Sequence, residues 1–309
     1  MNNRLRFSLL LALLAVLAVM LAPAALAQDN MGLSDEDAAL LADATAASGE
    51  FNSLAFDFAV DLNVSGIPDA EVALVLTGTG LIGEDDMGMP VGDITMTGIF
   101  DGQEFTFEFR VVDGLLFLNL NDGSGWIGQS LDSLLASAGD MAGVPLDPDA
   151  VMSGDAMDDS QMEALGGAMM ALATMDPADY ISMSRMADDG TLAHFNTQIA
   201  LSDFLQSEEF GMAIESALAT TGDESMEGMG MMVGMLFQDA NIAFDQYVNT
   251  ETNLIQRATL SLNLAISPMM TGGEVPAEID LVLGVNMTEY NPEILIEAPA
   301  DAIIVDEDM

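Results

Sequence analysis

The sequence predicts an α+β protein built on a large curved antiparallel sheet, a half-barrel of about 11 strands, with helices packed on its concave face. Two observations lead to this fold class. Long segments of the chain alternate apolar and polar residues with a period of two and are joined by Asp-Gly turns, which is typical of antiparallel hairpins. Segments with helical spacing are bunched in the middle of the chain, so no parallel sheet with alternating crossovers is expected.

The first strand has the clearest alternation. Its apolar residues from Phe56 to Val64 occupy every second position, with Ala, Asp and Asn between them. Asp101-Gly102 and Asp113-Gly114 predict tight turns within a five-stranded meander. The further strands are predicted at residues 71–82, 94–100, 103–112, 115–121, 180–186, 191–201, 242–248, 254–266, 275–290 and 294–296.

Helices are predicted where the apolar spacing changes to three and four. This spacing occurs within residues 129–175, which include Leu131 and Met169, and again in a helix that Ser202 is expected to cap and that contains Met212. These helices are the predicted cover for the sheet.

The first 27 residues predict a secretory signal. Two arginines precede an apolar stretch, and Ala25-Leu26-Ala27 is a small-residue cleavage motif. Residues 28–50 are a polar lead, residues 51–303 are expected to form a single domain, and residues 304–309 are an acidic tail. Because no Cys follows the cleavage motif, we expect no attached lipid and a soluble protein in the periplasm or outside the cell.

The charge balance excludes nucleic acid as a partner. The 309 residues carry a formal net charge of −46, and beyond the signal the basic side chains are Arg110, Arg185 and Arg257. Such a chain repels phosphate backbones and anionic head groups. A transient contact with a membrane or another envelope protein is the macromolecular interaction that we expect. The acidity is typical of proteins from saline habitats.

Catalysis has little support, so no enzyme and no cofactor are predicted. His194 is the single histidine, it lies on a strand face opposite Phe195, and no Cys is present. The acidic segment 147–159 lacks the spacing of an EF-hand loop. Arg110 and Arg257 are expected to pair with carboxylates on the outer face, although one of them at a cavity mouth could meet an anionic head group.

Methionine is unusually abundant, with 25 residues in the chain. Five of them lie within ten residues, and such thioethers bind Cu(I) where His and Cys are scarce. The competing interpretation is that Met fills an apolar surface that must adapt to its ligand. A Cu(I) site would comprise Met226, Met229, Met231, Met232 and Met235.

Four segments carry a family resemblance. They are "NSLAFDFAVDLNVSG", "VVDGLLFLNLNDGSGW", "YVNTETNLIQRATLSLNL" and "VNMTEYNPEILIEAPADA". Together they resemble the LppX/LprG-like group of mycobacterial and actinobacterial lipoproteins, which is similar in fold to the lipoprotein carrier LolA. The resemblance covers residues 50–303 and implies an apolar cavity for acyl chains of lipids or lipidated proteins. The chain departs from the group because it has no lipobox cysteine.

The predicted function is therefore an exported carrier that buries the acyl chains of a lipid or an acylated molecule. The alternatives are a Met-rich Cu(I)-binding protein and an acidic structural or adhesive surface protein without a ligand. The predicted cavity residues are Phe56, Phe58, Phe105, Phe107, Phe109, Leu116, Leu118, Met169, Met212, Leu260, Leu262, Leu281 and Leu283.

Overall fold

The structure, a computed structural model, describes residues 32–67, 71–85, 87–100, 102–121, 123–131, 133, 176–208, 210–211, 237–268 and 275–305. The predicted signal segment, most of the predicted central helices, Met169, Met212 and the Met226–Met235 cluster lie outside these residues.

Twelve strands in this part of the chain form one sheet. Their bounds are β1 Ser53–Ser65, β2 Val72–Glu84, β3 Pro90–Phe100, β4 Gln103–Val112, β5 Leu115–Asn119, β6 Trp126–Ser130, β7 Ile181–Arg185, β8 Leu192–Ile199, β9 Phe237–Asn249, β10 Leu254–Ile266, β11 Ala277–Tyr290 and β12 Ile303–Ile304. Helix α1 spans Asp35–Ser48, a 3₁₀ turn spans Pro177–Asp179, and helix α2 spans Leu201–Leu205.

The sheet is open and consists of two meanders joined at its centre. The spatial order is β12-β6-β5-β4-β3-β2-β1-β11-β10-β9-β8-β7, so neighbouring strands are consecutive in the chain except where β1 meets β11 and where β12 meets β6. That central pair is antiparallel and runs from Leu54 opposite Tyr290 to Ser65 opposite Glu278. The predicted large curved antiparallel sheet is therefore present, and its one parallel pairing in the described residues is the short contact of β12 with β6.

Alternation gives the sheet two unlike faces. The apolar face is defined here as the one that carries Phe56, Phe58 and Val60, and the polar face as the one that carries Asp57, Asp61 and Arg110. Buried side chains from β1 to β5 and from β11 form one cluster on the apolar face. The period-two pattern of the sequence was thus sufficient to sort side chains between the two faces.

Helix α1 lies in the predicted polar lead and covers one end of the apolar face. Ser34 caps it, since its Oγ accepts from the Asp37 amide at 3.2 Å, and acidic residues fill the first turn. Leu41 and Ala44 are buried against a second cluster, whose sheet residues are Met183, Ala193, Phe195, Val248 and Ile255. The helix was not predicted from apolar spacing, because only two of its 14 residues are buried.

Helix α2 begins two residues earlier than predicted and ends sooner, at Leu205. Ala200, not Ser202, occupies the N-cap and makes no side-chain capping bond. Phe204 contacts Tyr180 edge-on at 5.8 Å between ring centroids and Phe210 at 5.1 Å. None of the helices in the described residues is long and apolar enough to span a bilayer.

The chain after β11 crosses the polar face as an extended segment, which we name the C-terminal strap, residues 291–305. It leaves the sheet centre where the Asn291 amide donates to the Ser53 carbonyl oxygen, and it passes Gly83 with the side chain of Ile294. Further along, Arg110 donates to the Glu297 carbonyl oxygen at 3.3 Å. The strap ends as β12 beside β6, so it ties the centre of the sheet to its edge.

The course of the strap shows that one predicted strand is wrong, and it explains why one apolar residue of the polar face is buried. Residues 294–296 were predicted to form a strand, but they make no ladder because they lie across the strands instead of beside one. Phe117 faces the polar side of β5 yet is only 2% exposed. Its ring lies beside Gly128, over which Ile304 also packs, so the strap encloses it.

Candidate ligand-binding face

All eleven predicted cavity residues that the structure describes share the apolar face. One row of cross-strand neighbours runs from Phe56 through Gly80 and Ile94 to Phe109 and Leu118. The register places the others in parallel rows: Phe58, Phe105, Phe107, Leu116, Leu260, Leu262, Leu281 and Leu283. Their shared face confirms the predicted alternation, while their role as ligand contacts stays a prediction.

These eleven residues differ in burial. Six are fully buried: Phe56, Phe58, Phe107, Phe109, Leu116 and Leu283. Five are half-buried and retain accessible apolar surface: Phe105, Leu118, Leu260, Leu262 and Leu281. The half-buried group surrounds the buried cluster, so the face has a solid centre and an accessible margin.

Three glycines explain how three phenylalanines of this face are accommodated. A Cβ at Gly80 would lie 2.3 Å from the ring of Phe56, one at Gly78 would lie 2.6 Å from the ring of Phe58, and one at Gly98 would lie 2.6 Å from the ring of Phe105. Each ring therefore lies down over the backbone of the neighbouring strand. Aromatic rings placed over strand glycines in this way form a low layer on the sheet.

Gln246 is a residue of this face that the sequence analysis missed. It belongs to β9 and stands between Phe195 of β8 and Ala258 of β10, in the row that continues to Val285 and Phe58. Its side chain is 2% exposed, and its Nε2 has no hydrogen-bond partner in the described part of the protein. The sequence contains one signal for it: Gln246 alternates in step with Phe244 and Val248, which places all three side chains on the same face of β9.

Arg185 fastens helix α1 to the edge of the same face. Its guanidinium bonds Asp37 of the helix and Asp188 of the turn between β7 and β8, both at 2.8 Å, and stacks over Phe195 at 4.9 Å from the ring centroid. A shallow depression of about 660 Å³ adjoins this contact and has a mixed lining that includes Glu36, Leu40 and Thr250. It contains none of the predicted cavity residues.

Arg185→Leu is expected to lower the free energy of unfolding by about 1–2 kcal/mol, because the half-buried Asp37 and the exposed Asp188 lose their cation and Phe195 loses its stacked group. Hydrogen exchange should accelerate in residues 35–48 and stay unchanged in β3 and β4. Arg257→Leu is the matched control, since its pair with Asp189 is more exposed. Equal effects of the two variants, or unchanged exchange in α1, would contradict the assignment.

Tyr290 joins the last turn of α1 to the sheet. Its hydroxyl donates to the Ile255 carbonyl oxygen, and its ring lies 4.4 Å from that of Phe51. Burial raises the pKa of Tyr290 to about 12, with a hydrogen bond to the Ser48 side chain acting in the opposite direction. The phenol therefore remains a neutral donor at this junction.

The polar face carries several ion pairs. Arg110 bonds Asp93 at 2.8 Å and Arg257 bonds Asp189 at 3.0 Å, as predicted for arginines in an acidic field. His194 lies 2.7 Å from Asp245 and stacks on Tyr247. No group of three or more His, Asp or Glu side chains suited to a metal ion occurs among the described residues.

No family model matches the chain, and no curated protein matches it either, so the resemblance to the LppX/LprG-like group stays an expectation.

Among solved structures, the chain is similar to lipovitellin, from a study of its lipid–protein interactions, at a TM-score of 0.32 and 5% identity. The match covers 81% of this chain and 26% of lipovitellin. A DUF1329 family protein from Desulfovibrio piger matches with a TM-score of 0.22 and 9% identity. That match covers 85% of this chain and 96% of the Desulfovibrio piger chain. A beta-barrel-like DUF1849 protein from Brucella abortus matches with a TM-score of 0.19 and 8% identity. That match covers 77% of this chain and 100% of the Brucella abortus chain. Scores of this size establish no common fold.

Proposed function

We propose that the protein is an exported carrier that binds an amphiphile by burying its acyl chain against the apolar face, between the sheet and the helices. The observation that supports this most directly is the margin of half-buried apolar side chains around the buried cluster. Members from the two meanders meet there: Leu62, Phe105, Phe244, Leu260 and Leu281. A contiguous set of partly exposed apolar side chains on one side of a sheet is typical of a site for an apolar partner.

The energetics of such binding are sufficient without special head-group contacts. Each CH₂ removed from water contributes about 0.8 kcal/mol, so ten carbons contribute about 8 kcal/mol. That gain is of the same order as the estimated cost of about 4–15 kcal/mol for lost freedom on association. The ring of Phe105, which lies over Gly98, supports the proposal further, because it is half-buried and presents apolar surface to an acyl chain.

The charge of the protein narrows the class of amphiphile. With a net charge of −46, the chain repels anionic head groups at low ionic strength. A neutral or zwitterionic lipid is therefore favoured over a phosphatidic or fatty acid anion. The arginines do not offset this preference, because Arg110, Arg185 and Arg257 are each engaged with a carboxylate.

The test uses the mature chain, residues 28–309, and 1-palmitoyl-lysophosphatidylcholine below its critical micelle concentration. Calorimetry should show saturable binding of one or a few lipids per chain. Leu262→Gln places a polar group on the apolar face and should weaken binding about tenfold, which corresponds to the loss of one apolar side-chain contact.

Ser261→Gln is the matched control, because it adds the same side chain to the opposite face one position earlier in β10. It should leave the affinity unchanged. Absence of lipid binding by the wild-type chain would overturn the proposed function, and so would an equal loss in the two variants.

A further inference from the structure

We infer that Gln246 recognises the acyl carbonyl oxygen of the bound lipid, so that the ligand is an acyl ester and not an ether or a plain hydrocarbon. This inference rests on the proposed function and specifies its substrate class. Its starting point is the buried amide described above, whose Nε2 has no partner among the described residues.

A buried amide without a partner requires an explanation. Buried side-chain donors in folded proteins nearly always have a hydrogen-bond acceptor, and leaving one unsatisfied is unfavourable. Apart from Arg185 at the edge of the sheet, the other side chains in its row from β8 to β1 are apolar: Phe195, Ala258, Val285 and Phe58. A Leu or Met at this position would pack among them without that penalty, which indicates that the amide serves a partner outside the chain itself.

The position of Gln246 suits the polar end of an acyl chain. It lies where the cluster under helix α1, with Phe195 and Val248, adjoins the cluster that contains Phe58 and Val285. Ala258 separates it from Val285 and is itself buried. The next row of the face holds the half-buried Phe244 and Leu260, so Gln246 lies one row away from accessible apolar surface.

A second buried polar side chain lies close by. Thr197 of β8 is opposite Phe244 and is diagonal to Gln246 on the same face, and it is only 3% exposed. Diagonal neighbours on one face of a sheet are within reach of long side chains. The two residues make this the polar part of an otherwise apolar surface. An ester carbonyl offers an acceptor of the required kind and brings no net charge to a chain that repels anions.

The test compares two lipids that differ at one atom. 1-Palmitoyl-lysophosphatidylcholine has the ester carbonyl oxygen, and 1-O-hexadecyl-lysophosphatidylcholine has the same head group and chain length without it. The wild-type mature chain should bind the ester about fivefold more tightly, as expected for one hydrogen bond to an otherwise unpaired donor. Gln246→Leu should abolish this preference and leave the affinity for the ether unchanged.

Two controls keep the outcome interpretable. Gln198→Leu makes the same replacement on the polar face of β8 and should retain the preference. Thermal unfolding of the ligand-free Gln246→Leu protein should occur at the wild-type temperature or above it, because an unsatisfied donor has been removed.

The results separate the two proposals. If the wild-type chain binds neither lipid, the proposed function fails and the inference fails with it. If it binds both lipids equally, or if Gln246→Leu retains the ester preference, the carbonyl assignment alone is overturned.

Discussion

Gly78→Ala is expected to destabilise the protein by about 2–3 kcal/mol, the upper range for overpacking in a well-filled core. The added Cβ would lie 2.6 Å from the ring of Phe58 and 2.5 Å from the backbone oxygen of Thr95. The ring is buried and the oxygen belongs to the sheet ladder, so neither can retreat easily. Urea denaturation measured by tryptophan fluorescence and far-UV circular dichroism gives the change in free energy of unfolding.

Gly92→Ala is the matched control for this variant. Gly92 is also a strand glycine on the apolar face, but its nearest atoms to an added Cβ are at 3.5 and 3.6 Å, an ordinary contact distance. That variant should change stability by less than about 0.5 kcal/mol. Combining Gly78→Ala with Phe58→Leu should recover part of the lost stability, because the added Cβ and the Phe58 ring compete for the same space. Equal effects at Gly78 and Gly92 would show that the rings do not depend on the glycines.

Removal of the C-terminal strap is expected to have the larger effect, a loss of about 4 kcal/mol or more. A chain that ends at Asn291 exposes Phe117 and loses the cover that Ile294 and Ile304 provide. Uncovering a buried Phe alone is unfavourable by about 1.5–3 kcal/mol, and the hydrogen bonds to Arg110 and Gly128 are lost as well. Thermal unfolding and binding of a hydrophobic dye should both report the change.

A chain that ends at Val305 serves as the control, because it retains every strap contact described above. It should unfold like the full chain. Wild-type stability in the chain that ends at Asn291 would mean that Phe117 is enclosed by something other than the strap.

The sequence predicted those features that follow from period-two alternation. The five strands from β1 to β5 and the shared face of Phe56, Phe58 and Leu283 required only that successive side chains point to opposite sides. Asp-Gly at Asp113-Gly114 placed a hairpin turn correctly, and Asp113 adopts the positive φ of 54° that such turns require. The pairing of Arg110 and Arg257 with carboxylates could be predicted because the chain has few cations and many acidic side chains.

Other features depend on contacts between distant segments and leave no local pattern. The strap has no periodicity, since its residues contact successive strands and not one neighbour. Nothing in the local sequence distinguishes Gly78 and Gly80 from other strand residues, because their partners, Phe58 and Phe56, lie on another strand. Helix α1 has little amphipathic pattern, and Gln246 was missed because a single polar residue in an apolar row does not disturb the alternation.

The pairing of β1 with β11 has a consequence for the biogenesis of the protein. Leu54 pairs with Tyr290. The first strand to be synthesised, β1, therefore cannot form the central pair of the sheet until β11 has been synthesised. Folding dominated by such distant pairings is slow, and the unsealed hairpins are prone to aggregate. The ribosome therefore releases a chain that cannot complete its tertiary structure before termination. During this kinetic delay a chaperone can still engage it as an unfolded polypeptide.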